Sequence, residues 1–221
     1  MTSLTNRIAV AAGAGSLHLH PRRQDGSESL RAEDVGAAVA AVRERCPKIP
    51  VGVTTALWVT GDAAARQEQV AGWTHLDPAR RPDFASVNVS EEGWQDLTVV
   101  LERAGIGAEA GVWSAADARA AGPAGGWLRI LVEISGVSAA EAAGRADEIL
   151  GLLQAGGVTA PVLLHGEDDS CWPLLARAGQ LGLPTRIGLE DVLSGPDGQD
   201  VADNAELIRL ALAEWTAART A

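Results

Sequence analysis

The stretch "SLHLHPR" (residues 16–22) alternates apolar and polar side chains, and this alternation is typical of a β-strand. Side chains two residues apart share one face of a strand. Leu17 and Leu19 therefore lie on one face, and His18 and His20 on the other. A strand with one aliphatic face and one face of imidazoles can pack under a helix while aiming two polar groups at one point. The stretch predicts an α/β fold with a site on the polar face of this strand.

The same local pattern recurs along the chain, as a β-rich run, a helical run and then a Gly or Pro break. Six further strand candidates follow the first, at 49–56, 84–91, 105–113, 128–135, 161–167 and 184–191. Amphipathic helical runs lie between them, the clearest at 29–46, 92–104 and 138–156. Strands that alternate with helices pair in parallel through crossover connections.

The distribution of apolar and polar side chains between the two faces of these strands favours a barrel over an open sheet. Strands covered by helices on both faces are apolar almost throughout. Here one face is aliphatic and the other becomes polar toward the carboxyl end, as in 184–191, where Arg186, Gly188 and Glu190 share a face. We therefore predict a single domain over residues 1–221 with a TIM (β/α)8-type barrel, although the seven candidates are one strand short of eight.

Composition excludes several classes of protein. The 221 residues carry a formal net charge of -11, which argues against binding to nucleic acid or to a membrane surface. No apolar run is long enough to span a membrane, and the N-terminus lacks the features of a secretory signal. The two cysteines, Cys46 and Cys171, are expected to be reduced and buried. We expect a cytoplasmic homo-oligomer that acts on small molecules.

Two neutral imidazoles on one strand face suit zinc among the common metals. Alternate strands of a barrel contribute to the same layer of side chains. If 16–22 is the second strand and 184–191 the eighth, Glu190 can join His18 and His20 at a metal ion. Such a site keeps one position open for a substrate oxygen. The alternative is a pair of core histidines with ordinary hydrogen-bond partners.

Asp191 and Arg186 lie beside this predicted site. Asp191 follows Glu190 directly and is either a general base next to the metal or a cap of the following segment. A buried arginine needs a carboxylate partner, and Asp191 and Glu190 are the nearest candidates to Arg186. Arg186 is then either half of a structural ion pair or a group that tunes the base or holds a substrate carboxylate.

Several motifs together resemble the β-keto acid cleavage enzyme family, of the 3-keto-5-aminohexanoate cleavage enzyme type. They are "HLHPR" followed by Asp25-Gly26, then "SVNVSE", "EAGVW", "HGE" and "RIGLED". The resemblance implies a zinc-dependent TIM barrel. It also implies an acyltransferase that uses acetyl-CoA to cleave a β-keto acid, releasing acetoacetate and a new CoA thioester.

The resemblance extends to single residues. His18, His20 and Glu190 match the zinc ligands, Asp191 the acid that starts the reaction by deprotonation, and Arg186 its partner. We expect substrate-binding residues at Thr54, Asn88, Ser90, Glu109 and Arg22. Thr54 stands where the family often has a serine, and Arg22 can meet a substrate carboxylate or a CoA phosphate.

Two alternative functions stay open. The chain begins with what resembles the end of the family's first helix, so we expect the family's first strand to be missing. One alternative is therefore a truncated or degenerate barrel that binds metal or ligand without catalysis. The other is an amidohydrolase-type metal-dependent barrel hydrolase, which the glutamates of the middle strands, Glu109 and Glu133, disfavour. The roles of His165 and Glu167 stay open.

Overall fold

The computed structural model describes residues 8–220, which form an α/β fold of alternating strands and helices. The described chain divides into two compact units. The first comprises residues 15–110 and 126–128, and the second comprises residues 8–14, 111–125 and 129–220. The single domain over 1–221 stays a prediction.

The first unit contains neighbouring strands in the order of the chain. They are β1 (Leu17–Leu19), β2 (Val51–Val53), β3 (Phe84–Asn88) and β4 (Gly107–Val112), the last of which runs two residues into the second unit. The pairs β1–β2 and β2–β3 are parallel, with His18 opposite Gly52 and Val53 opposite Ala85. The helices between them are α1 (Ala32–Arg45), α2 (Ala63–Ala71) and α3 (Trp94–Arg103).

The second unit has two parallel strands, β5 (Arg129–Ile134) and β6 (Val162–Gly166), which pair from Ile130–Val162 to Ile134–Gly166. Its helices are α4 (Ala115–Ala121), α5 (Ala139–Ala155), α6 (Cys171–Leu181) and α7 (Asn204–Thr220), and residues 8–11 are also helical. Short 3₁₀ helices lie at Leu57–Val59, Gly72–His75, Pro78–Arg80, Gly122–Ala124 and Asp168–Ser170.

Local chemistry explains where these elements begin and how closely they pack. A capping box starts α5, because the Glu141 carboxylate accepts from the Ser138 N–H at 3.3 Å and also from the Ser138 hydroxyl at 2.6 Å. Position 52 on β2 requires glycine, because the Phe84 ring occupies the space that a Cβ would take. Gly179 lets α6 approach the backbone of α7, since a Cβ there would lie 2.5 Å from the Trp215 carbonyl oxygen.

Six of the seven predicted strands are confirmed in position, and so are the helical runs at 29–46, 92–104 and 138–156. Cys46 and Cys171 are both buried free thiols. None of the helices within residues 8–220 is long and apolar enough to cross a membrane.

The strand predicted at 184–191 is wrong. Pro184 has no N–H to donate, although its carbonyl accepts from the Leu164 N–H at 3.0 Å. The Gly188 carbonyl then accepts from the N–H groups of both Asp191 and Val192, which closes a turn. The Gly188 carbonyl and the N–H groups of Asp191 and Val192 are therefore used within the segment and do not pair with a neighbouring strand. Glu190 consequently lies on an exposed turn rather than on a strand face.

Candidate active site

His18 and His20 lie at the carboxyl end of β1 in the first unit, and both are half-buried. Their ring centroids are 5.4 Å apart and the planes are inclined by 67°. The strand parity therefore brings the two imidazoles together as predicted. Two nitrogen donors at this separation are a suitable part of a zinc site.

Glu28 contacts one member of this histidine pair, His20, and the sequence did not predict this contact. Its Oε1 lies 3.1 Å from His20 Nδ1 and 3.3 Å from Arg22 Nη2, while Oε2 accepts from Trp58 Nε1–H at 3.2 Å. A tight turn brings Glu28 back to β1, since Ser27 donates to the Asp25 carboxylate and the backbones of Arg22 and Glu28 pair. The side chain of Arg22 itself is 57% exposed.

Two of the predicted substrate residues lie buried where β2 and β3 end. Thr54 accepts from the Ala56 N–H at 3.1 Å, and the amide of Asn88 donates to Glu91 at 2.9 Å. Glu91 is fixed by the fully buried Arg66, with which it forms an ion pair. This network gives Asn88 one fixed orientation.

The other two predicted substrate residues of the first unit differ from each other. Glu109 is buried within β4, and its role in substrate binding stays a prediction. Ser90 lies in the exposed turn beyond β3, outside the strand that was predicted to extend over 84–91, and its role in substrate binding stays a prediction. The strand ends at Asn88, and the alternation of faces does not continue into the turn.

Asp191 is the most deeply buried acid of the second unit, with 1% of its surface exposed. Arg186 pairs with Glu190, and its Nη2 lies 3.5 Å from Asp191 Oδ1. Burial raises the pKa of Asp191, while the charges of Arg186 and His165 oppose the shift. Asp191 Oδ2 is buried and accepts no hydrogen bond from the described residues. Asp191 therefore combines a raised pKa with a buried oxygen that could accept a further hydrogen bond. Its role as a general base stays a prediction.

Several other ionisable side chains of the second unit influence one another near Asp191. His165 Nε2 lies 3.1 Å from Glu133, which faces it across β5 and β6. Burial raises the pKa of Glu133, but the hydrogen bond and charge of His165 outweigh it, so the pKa is lowered overall. Burial, followed by the charge of Glu133, raises the pKa of Glu167 to about 7. Burial also raises the pKa of the Cys171 thiol to about 12, which leaves it unreactive.

The predicted metal ligands are divided between the two units. His18 and His20 belong to the first, and Glu190 belongs to the second, where its carboxylate pairs with Arg186. Within residues 8–220 there is no group of three or more His, Cys, Asp or Glu side chains arranged to hold a metal ion. The zinc site therefore stays a prediction.

Comparison with known families decides the relationship. The model of the beta-keto acid cleavage enzyme family matches residues 5–121, more than half of the chain. The chain belongs to the β-keto acid cleavage enzyme family. This match includes His18, His20 and the strands β1 to β4, whereas Arg186, Glu190 and Asp191 lie beyond it. No curated protein matched the sequence.

Solved structures share the fold of this family member. A complex of ObcA with oxaloacetate superimposes with a TM-score of 0.73 at 19% identity, and a ternary complex of ObcA with a C4-CoA adduct and oxalate gives 0.74 at 18%. Both cover 96% of this chain, which spans 61% and 62% of their length. The 3-dehydroquinate dehydratase from Geobacillus kaustophilus HTA426 gives 0.64 at 13% identity, covering 96% of this chain and 85% of its own.

Proposed function

We propose that this protein is a zinc-dependent enzyme that cleaves a β-keto acid with acetyl-CoA, releasing acetoacetate and a new CoA thioester. The observation that carries the proposal is the family match over residues 5–121, which contains the histidine pair. The complexes of ObcA with oxaloacetate and with a C4-CoA adduct support a keto acid and a CoA thioester as the substrate classes.

The reaction is an exchange of acyl groups by Claisen and retro-Claisen steps. The β-keto acid loses a proton from the carbon between its two carbonyl groups. That carbon attacks the thioester carbonyl, and CoA leaves as a thiolate. The thiolate then attacks the original keto carbon, and the bond from that carbon to the central carbon breaks. The central carbon keeps the electron pair of that bond and takes back a proton, which replaces the one removed in the first step. Acetoacetate and the new thioester together contain every atom of the two substrates.

Asp191 is the residue that we assign to proton removal. Its burial makes the carboxylate a stronger base than an exposed aspartate, since the raised pKa increases its affinity for a proton. Oδ2 accepts no hydrogen bond from the described residues and can take the proton, while Arg186 beside Oδ1 fixes the orientation of the group.

We assign the zinc ligands to His18, His20 and Glu190. The imidazole pair fits zinc by donor type, and a carboxylate behind His20 is the usual companion of a metal-binding histidine. Glu190 must exchange its Arg186 partner for the metal. When bound, zinc would polarise the keto group of the substrate.

Metal content tests this assignment. We expect one zinc per chain in the purified protein by elemental analysis, and loss of that zinc in the double variant His18→Ala/His20→Ala. His75→Ala, which removes an exposed histidine, is the matched control and should keep its zinc. A zinc-free wild-type protein, or a double variant with full zinc content, would overturn the site.

A further inference from the structure

We propose that Glu28 is a positioning residue that fixes the tautomer and orientation of His20. The inference concerns the same site as the proposed function and rests on it for the identity of the metal. Glu28 follows a turn six residues after Arg22, and nothing in its sequence context marks it as functional.

The contact between Glu28 and His20 decides which ring nitrogen carries the proton. An ionised carboxylate can only accept hydrogen bonds. The Nδ1 atom of His20, 3.1 Å from Glu28 Oε1, must therefore be the protonated nitrogen. In a neutral imidazole the lone pair then lies on Nε2. A carboxylate in this role also makes the ring a more basic metal ligand.

Glu28 is held by more than its contact with His20. Arg22 donates to Oε1 at 3.3 Å, and the indole of Trp58 donates to Oε2 at 3.2 Å. The backbone bridge between Arg22 and Glu28 fixes the main chain from which the carboxylate extends. Trp58 is 58% exposed, so burial alone does not explain its position. Three donors on two oxygens leave the carboxylate in one orientation.

An ordinary surface ion pair would not have these features. Arg31 and Glu33 form such a pair, with more than half of each side chain exposed. Glu28 has only 22% of its side chain exposed and contacts an imidazole and an indole as well as a guanidinium. Glu33 is therefore a matched control for the removal of a glutamate.

Nitrogen NMR of the metal-free full-length chain tests the tautomer directly. At a pH where His20 is neutral, we expect a proton on Nδ1 in the wild-type protein and a shift toward the Nε2-protonated form in Glu28→Ala. Glu28→Gln should keep the wild-type tautomer, because its amide oxygen still accepts from Nδ1–H. A wild-type His20 protonated on Nε2, or a Glu28→Ala spectrum equal to the wild type, would overturn the proposal. The wild-type measurement decides alone if Glu28→Ala does not fold.

Zinc affinity, measured by competition with a chromophoric chelator, gives a second test. We expect Glu28→Ala to bind zinc about 10- to 100-fold more weakly, Glu28→Gln to fall in between, and Glu33→Gln to match the wild type. Equal weakening in Glu28→Ala and Glu33→Gln would show a general effect of charge and overturn the role of Glu28. If the wild type binds no zinc, the proposed function fails, and the NMR result still decides the tautomer.

Discussion

At the scale of the residue, the assignment of Asp191 depends on a carboxylate that is buried and yet not saturated with hydrogen bonds. Arg186 reaches only one of its oxygens, and burial raises its pKa. Asp191→Asn keeps the size of the side chain but cannot accept the proton. We expect turnover to fall by about 10²- to 10⁴-fold while zinc is retained. Turnover is measured by steady-state kinetics. The control Asp169→Asn changes an exposed residue of the same unit and should leave turnover unchanged. A loss under about tenfold would make Asp191 structural.

Glu167 gives a prediction about pH. Its folded-state pKa of about 7 lies above the ordinary value of about 4.3. Between these values the folded state holds a proton that the unfolded state has released, so Glu167 contributes less stability as pH rises. The free energy of unfolding of the wild type, minus that of Glu167→Gln, should therefore fall from about pH 4.3 to about pH 7 and then level off. Urea titrations at a series of pH values measure this difference in the free energy of unfolding. Glu214→Gln, a change at an exposed glutamate, is the control and should not show the same fall. A difference that rises with pH contradicts the assignment.

The neighbours of a site residue were predictable where they follow from the alternation of side chains along one strand. Alternation on β1 was enough to pair His18 with His20. The expectation that Arg186 needs a nearby carboxylate is also confirmed. The partner of His20 was not predictable, because Glu28 reaches it only after a turn whose geometry brings the chain back.

At the scale of the element, helices were predictable and the last strand was not. The capping box at Ser138 and Glu141 marks the start of α5 directly in the sequence. The run at 184–191 alternates like a strand, yet Pro184 lacks an N–H to donate, and the turn at Gly188 takes up the N–H groups of Asp191 and Val192. The periodicity of side chains does not show which partners the backbone N–H groups bind. In this segment those partners determine that a turn forms instead of a strand.

The packing of α6 on α7 gives a prediction about stability. In Gly179→Ala the new methyl would lie 2.5 Å from the Trp215 carbonyl oxygen and 3.1 Å from Ala218 Cβ, so the helices must separate. We expect a loss of about 1–3 kcal/mol in the free energy of unfolding. The control is Gly151→Ala in α5, where nothing lies within 4 Å of the new methyl, and it should stabilise the protein by up to about 1 kcal/mol. Similar thermal denaturation midpoints for the two variants would contradict this packing.

At the scale of the whole molecule, the α/β class and the parallel pairing followed from the repeated strand–helix pattern. The family was also recognisable from motifs spread along the chain, and the match over residues 5–121 confirms it. Closure into a barrel was harder to predict, because it depends on strand number and stagger rather than on local pattern. The part of the chain that the structure describes contains six strands instead of the seven expected, and the homo-oligomer stays a prediction.

We propose that this chain exchanges acyl groups between acetyl-CoA and a β-keto acid. The most direct measurement incubates the zinc-loaded protein with acetyl-CoA and a panel of β-keto acids, and follows acetoacetate and the new CoA thioester by mass spectrometry. We predict that at least one β-keto acid gives both products in equal amounts, and that His18→Ala/His20→Ala gives neither. Zinc-loaded wild-type protein that forms no acetoacetate from any β-keto acid would contradict the account.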